Sequence, residues 1–218
     1  MSETLRPRDE EQALAALRER LGKGARYDSP AAPAPELLRA RRGAAYFARK
    51  LGELDDDGLD GQSLLPGCGR RLLISHVGYQ ARALARIAEA AREERERESL
   101  GDPDQPLDDV ALGATLPARA LRYLFEHAQA HLNVEWRDLS DAAWDRPVET
   151  LGGRRVTPRD TVRERALSIW VHTVDLGNGG SIHDFPPELL AAVEAEGRPG
   201  LPFELPPARP GRSGKPSC

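Results

Sequence analysis

Residues Val162–Leu176 read V-R-E-R-A-L-S-I-W-V-H-T-V-D-L. At 3.6 residues per turn this stretch is an amphipathic helix. It sets His172 on one inward-facing stripe, with Ser168 and Ile169 a turn earlier and Asp175 and Leu176 a turn later. An ionisable ring on a core-facing stripe needs a partner, so the chemistry of the chain is expected here. Both ends of the helix are legible. Thr157, with Pro158 at the first helical position and Asp160 three residues after the cap, starts it. Gly177, followed by Asn178, Gly179 and Gly180, ends it.

Working outward, three further helical faces appear. Glu36 to Leu54 places Ala40, Ala44, Phe47, Leu51 and Leu54 on one side. The loop Ser63–Gly69 leads into a second helix from about Arg70 to Glu98, whose buried side carries Leu72, Leu73, His76, Ala83 and Ile87. The end of that helix, R-E-E-R-E-R-E-S, reads as a solvated helical extension held by i,i+4 ion pairs. Gly101–Pro106 breaks it. Thr115 is placed to cap a third helix, Leu116 to Trp136, with Leu121, Leu124, Ala128 and His131 or Leu132 as its core stripe. V-E-T-L and R-R-V around Gly152-Gly153 read as a small β-hairpin on a two-residue glycine turn. Four such faces with only scraps of strand predict an all-α, antiparallel four-helix bundle, with a small β-hairpin before the last core helix.

The remaining stretches frame that bundle. Residues 1–30 read as an N-terminal segment with a short outlying helix over Asp9–Leu21, followed by an extended, proline-rich lead-in. Residues 31–180 make the bundle, and 181–218 read as a tail. From Gly197 onward ten of twenty-two residues are proline or glycine, so disorder is expected there.

The 218 residues carry 39% hydrophobic and 30% charged side chains and a net charge of -4. Thirty-one basic residues are interleaved with thirty-five acidic ones, which argues against a nucleic-acid binder. No apolar run approaches the roughly 18 residues of a membrane span. The N-terminus lacks the apolar core of a signal peptide, so a cytoplasmic protein is expected. Cys68 and Cys218 show no C-x-x-C spacing, which suits a reducing compartment.

Two imidazoles from neighbouring helices, His76 and His172, form the natural start of a metal site in the bundle core. The alternative is a pair of core histidines satisfied by backbone carbonyls or by a carboxylate such as Asp175. His127 and His131 form H-x-x-x-H, but Ala128 stands where a zinc protease needs glutamate. As a plain i,i+4 pair they either hold a metal or sit one partly exposed and one at the core edge. Cys68, in a glycine-flanked loop near Arg70 and Arg71, is either a nucleophile or incidental. Trp136, Trp144 and Trp170 read as packing residues.

Beyond spacing, the chain carries S-L-L-P-G-x-x-R-R-x-x-x-x-H-V-G-Y around His76, A-T-L-P-A-R-A-L-R, H-L-N-V-E-W-R-D-L, I-W-V-H-T-V-D-L-G-N-G-G and D-F-P-P-E-L-L. In this order, over about Gly24 to Leu190, they resemble the mycothiol-dependent maleylpyruvate isomerase family, one of the DinB-like four-helix bundles. The resemblance implies a divalent metal, usually zinc, held by a histidine matching His76 and by a Glu-x-x-x-His pair whose histidine matches His172. It implies mycothiol as cosubstrate, a small-molecule substrate, and cis–trans isomerisation or S-transfer by thiol addition. A catalytically impaired bundle serving as a binding or interaction module is the alternative.

Three positions depart from the family pattern. Ser168 stands where the glutamate ligand belongs, so a site of His76 and His172 alone holds metal weakly unless Asp175, His131 or Glu164 substitutes. Pro66-Gly67-Cys68-Gly69 replaces the Pro-Gly-Trp-Thr loop. The family's smaller C-terminal α/β domain has no counterpart in the proline-rich tail, a pattern expected of a truncated or frame-changed reading.

Overall fold

The computed structural model describes residues 28–97 and 106–199. The expected outlying helix over Asp9–Leu21 and the tail beyond residue 199 lie outside those residues. Six helices are present among the described residues: α1 (Ala34–Gly52), α2 (Arg70–Arg92), α3 (Pro106–Ala114), α4 (Ala118–Asp138), α5 (Pro158–Asp175) and α6 (Pro187–Glu196). Before α5 lies a hairpin of β1 (Val148–Glu149) and β2 (Arg155–Val156), antiparallel, with Val148 opposite Val156. The all-α bundle with its hairpin is therefore the observed architecture.

The core forms where four apolar faces meet. α1 packs along α5, α2 packs along α4, and α2 closes the square against α5. Leu37, Phe47, Leu73, Ile74, Leu121, Leu132 and Ile169 are each fully buried there. At about 25 cal/mol per Å² of apolar surface removed from water, this burial is what holds the helices together. The closest approach is at Gly43 of α1, where an added Cβ would stand 2.5 Å from Ile169 Cγ2 and 2.6 Å from Trp170 Cδ1. α5 is fixed at its start by the reciprocal capping box of Thr157 and Asp160, as its sequence predicts. At its end, Gly177 takes a left-handed φ of 67°.

Arg70 joins the two helices that carry the histidines. Its guanidinium donates to the carbonyls of Leu176 at 2.8 Å and Gly177 at 2.7 Å, beyond α5, and to Gly58 at 2.9 Å. Those carbonyls lie where the helix dipole is negative, so the cation there is favourable.

Several boundaries differ from expectation. α2 stops at Arg92 rather than near Glu98, because R-E-E-R-E-R-E has no apolar face to pack. Glu94 turns the chain with a φ of 60°, and the amide of Glu149 donates to Glu96 O at 2.8 Å. α3 starts at Pro106, where the expected break ends, and fills a stretch before Leu116 for which no element is expected. Thr115 does not cap α4, which begins at Ala118 after Pro117; its hydroxyl donates back to Leu112 O at 2.7 Å. The hairpin turn is longer than two residues: the Thr150 amide donates to Arg154 O, and Gly153 alone has positive φ.

Packed structure also runs on past residue 180 into the stretch expected as a tail. Phe185 meets Trp170 edge-on at 5.5 Å between ring centroids, and Leu189 of α6 is buried. D-F-P-P-E-L-L thus supplies two apolar anchors and a proline at the start of a helix.

Candidate active site

α2 and α5 bring His76 and His172 together. Their rings lie 5.3 Å apart between centroids at an interplanar angle of 86°. Both are buried, at 4% and 0% exposure. His172 Nδ1 donates to Asp175 Oδ2 at 3.0 Å, one turn along α5. The other carboxylate oxygen of Asp175 receives the guanidinium of Arg198, from the segment after α6. His172 Nε2 is buried and has no hydrogen-bond partner among the described residues. Burial first, then the nearby His172 and the charge of Arg165, pull His76 down to about 3, so it is neutral at physiological pH.

Arg165 is fully buried on the same stripe of α5. Its guanidinium donates to Val77 O at 3.1 Å, Gln80 Oε1 at 2.7 Å and Gln129 Oε1 at 2.8 Å, all neutral acceptors. Burial brings it down to about 9, which still leaves it charged at neutral pH. Ser168 does not face an ion with its lone pairs: its hydroxyl donates to the same Gln80 Oε1 at 3.1 Å.

A cavity of about 710 Å³ opens along this centre. His76 and Ser168, both nearly fully buried, form its closed end with Gln80 beside them. Towards solvent it is lined by Arg82, Arg86, Arg154 and Arg163, interleaved with Asp109, Asp160, Glu164 and Glu196. Arg154 pairs with Glu164 at 2.9 Å, Arg163 pairs with Glu196, and Arg82 lies over the Tyr79 ring at 5.2 Å.

The other candidates stand apart. His127 and His131 are exposed on α4, the first against Tyr123 and the second 3.4 Å from Glu135. Cys68 is buried, and burial raises its thiol above the usual value, so the nucleophile reading fails. Cys218 lies outside the described residues. Trp170 and Trp144 are packing residues whose indole N–H groups donate to Arg39 O and Ser29 Oγ, both at 2.9 Å.

Among the described residues no third donor for a metal stands beside the two histidines. Asp175 is engaged on the far nitrogen of His172, Glu164 is held by Arg154, and His131 is on another face of the bundle. No group of three or more His, Cys, Asp or Glu residues is placed to hold a metal ion among the described residues. With a buried guanidinium beside the imidazoles and their nearest carboxylate, Asp175, taken up by His172 Nδ1 and Arg198, the donors do not fit a resident divalent cation. Sequence reading missed Arg165, Gln80 and Gln129. The signal was present for two of them: Gln80 lies four residues after His76, and Arg165 lies three before Ser168.

Fold and site together define a helical-bundle protein with a cavity that closes on one of two buried, neighbouring histidines. The chain belongs to the mycothiol maleylpyruvate isomerase N-terminal domain family, whose profile matches residues 38–177. It is similar to the crystal structure of the mycothiol-dependent maleylpyruvate isomerase, with 36% sequence identity and a TM-score of 0.68. A structure of a histidine-to-alanine mutant of that isomerase matches at 35% identity and the same TM-score. Each comparison covers 73% of this chain and 66% of the solved chain, so this chain spans less than two thirds of that protein's length. No curated protein matches. No described helix is long and apolar enough to cross a membrane.

Proposed function

We propose that the chain acts on a small unsaturated acid with mycothiol, as a cis–trans isomerase of the maleylpyruvate isomerase kind or as a thiol S-transferase. One observation carries this reading: the cavity closes on His76 and Ser168, inside the segment that the family profile covers. Its volume lies within the 300–1,000 Å³ usual for small-molecule sites.

In the isomerase reaction the thiolate sulfur bonds to one carbon of the cis double bond, and the π electrons move to the conjugated carbonyl oxygen. Rotation about the new single bond follows. The enolate then collapses and expels the thiolate, giving the trans acid. In S-transfer the enolate is protonated on carbon instead and the sulfur stays. The arginines towards the mouth suit the substrate carboxylates. The neutral ring of His76, with Ser168 and Gln80, shapes the closed end, where the charge of Arg165 favours a thiolate over a thiol. Zinc, the other group implied by the family resemblance, does not fit the donors present among the described residues.

Incubation with mycothiol and maleylpyruvate, followed by the coupling of the olefinic protons in NMR spectra, tests the proposal. Mycothiol-dependent conversion to the trans isomer is expected. A second reading, a bundle that binds these ligands without turnover, is favoured by the hydroxyl of Ser168 being directed to Gln80. It predicts ligand-induced shifts in the protein spectrum with no conversion.

A further inference from the structure

The disagreement between family and site is specific enough to be tested by itself. Tight protein zinc sites use three or four nitrogen, sulfur or oxygen donors, at least three of them from the protein. Here two imidazoles stand edge to face, and the residue one turn before His172 is a hydroxyl engaged as a donor to Gln80. The buried cation Arg165 is held by the same carboxamide oxygen. A divalent ion set beside these groups would meet two imidazoles and a guanidinium, while the carboxylate bonded to His172, Asp175, already serves Nδ1 and Arg198. Arg165, by contrast, already has three acceptors arranged around it from α2 and α4.

We infer that this centre carries its positive charge within the protein, on Arg165, and holds no resident divalent cation. The missing carboxylate at position 168 is what separates it from a metal site. The inference concerns metal binding alone and stands whether or not the chain turns over maleylpyruvate.

Zinc titration against a chromogenic chelator tests it, using the full chain, the Ser168→Glu variant and the Ser168→Glu/His76→Ala double variant, with circular dichroism to confirm folding. The unmodified chain should show no single zinc site tighter than about 10 µM, as expected of a site with two protein donors. Ser168→Glu should bind one zinc per chain about 100-fold more tightly, and adding His76→Ala should abolish the gain. Where Ser168→Glu does not fold, Ser168→Cys supplies the third donor at nearly the same volume and reads the same outcome. One tightly held zinc in the unmodified chain, lost on His76→Ala, would overturn the inference. So would a folded Ser168 variant that gains no affinity.

Discussion

The carboxamide oxygen of Gln80 receives two donors from α5, Nη1 of Arg165 at 2.7 Å and Oγ of Ser168 at 3.1 Å. One side chain, a turn after His76, thus holds both the buried charge and the hydroxyl that stands in the ligand position. A guanidinium removed from water is tolerated only while its acceptors stay in place.

Gln129 supplies the third acceptor, from α4, at 2.8 Å. Gln129→Leu keeps the volume but leaves a buried cation short of one partner, and should cost about 2–3 kcal/mol. Urea unfolding measures it. Combining Gln129→Leu with Arg165→Met removes the charge as well, so the double variant should lose less than the sum of the two single losses. Strict additivity would mean that Gln129 does not serve the guanidinium.

Stability should depend on pH through His76. Its ordinary value of 6.5 applies in the unfolded chain, whereas burial holds it near 3 in the folded one. Between these values the unfolded state binds a proton that the folded state refuses. The stability associated with His76 is therefore present above pH 6.5, is lost as pH falls, and stops changing below about 3. The slope is at most about 1.4 kcal/mol per pH unit. Urea midpoints from pH 7 to 4 should show this slope. His76→Gln should flatten it, and an unchanged slope in that variant would assign it to other groups.

The bundle was legible because apolar spacing and end signals agreed on the same helices: Thr157, Asp160 and Gly177 bracket α5, and Phe47, Leu121 and Ile169 all reach the core. The histidine pair was legible for the same reason, since each ring sits on an apolar stripe. What escaped is polar burial. Arg165 reads as a surface cation until three neutral acceptors on two other helices are seen around it, and those partners lie 36 to 88 residues away in sequence. α3 escaped because it follows directly on a Pro/Gly break. Helical spacing overcounted α2, where charges continue the period without an apolar face.

Gly43 should be intolerant of even one methyl group. The added carbon would enter the space of Ile169 and the Trp170 ring, at 2.5–2.6 Å, and would push α1 from α5. Overpacking of this kind costs about 1–3 kcal/mol, more than alanine gains by its better helix propensity. Thermal unfolding of Gly43→Ala should show a clear fall in midpoint, whereas a rise would mean that α1 and α5 are further apart than described.

The two partners of Asp175 should differ sharply in worth, although both bonds are charge-assisted. His172 and Asp175 are 0% and 1% exposed, so the Nδ1 to Oδ2 bond lies entirely in the core. Asp175→Ala strips the hydrogen-bond partner of Nδ1 from a buried ring whose Nε2 has none among the described residues, and should cost about 2–4 kcal/mol. It also releases the orientation of His172 against His76. The side chain of Arg198 is 51% exposed, and water replaces much of what it loses when removed. Arg198→Ala should therefore cost less than about 1 kcal/mol. Urea unfolding of the two variants separates these cases. Equal losses would show that Arg198, and with it the segment after α6, is a full structural partner of the centre rather than a cover at its edge.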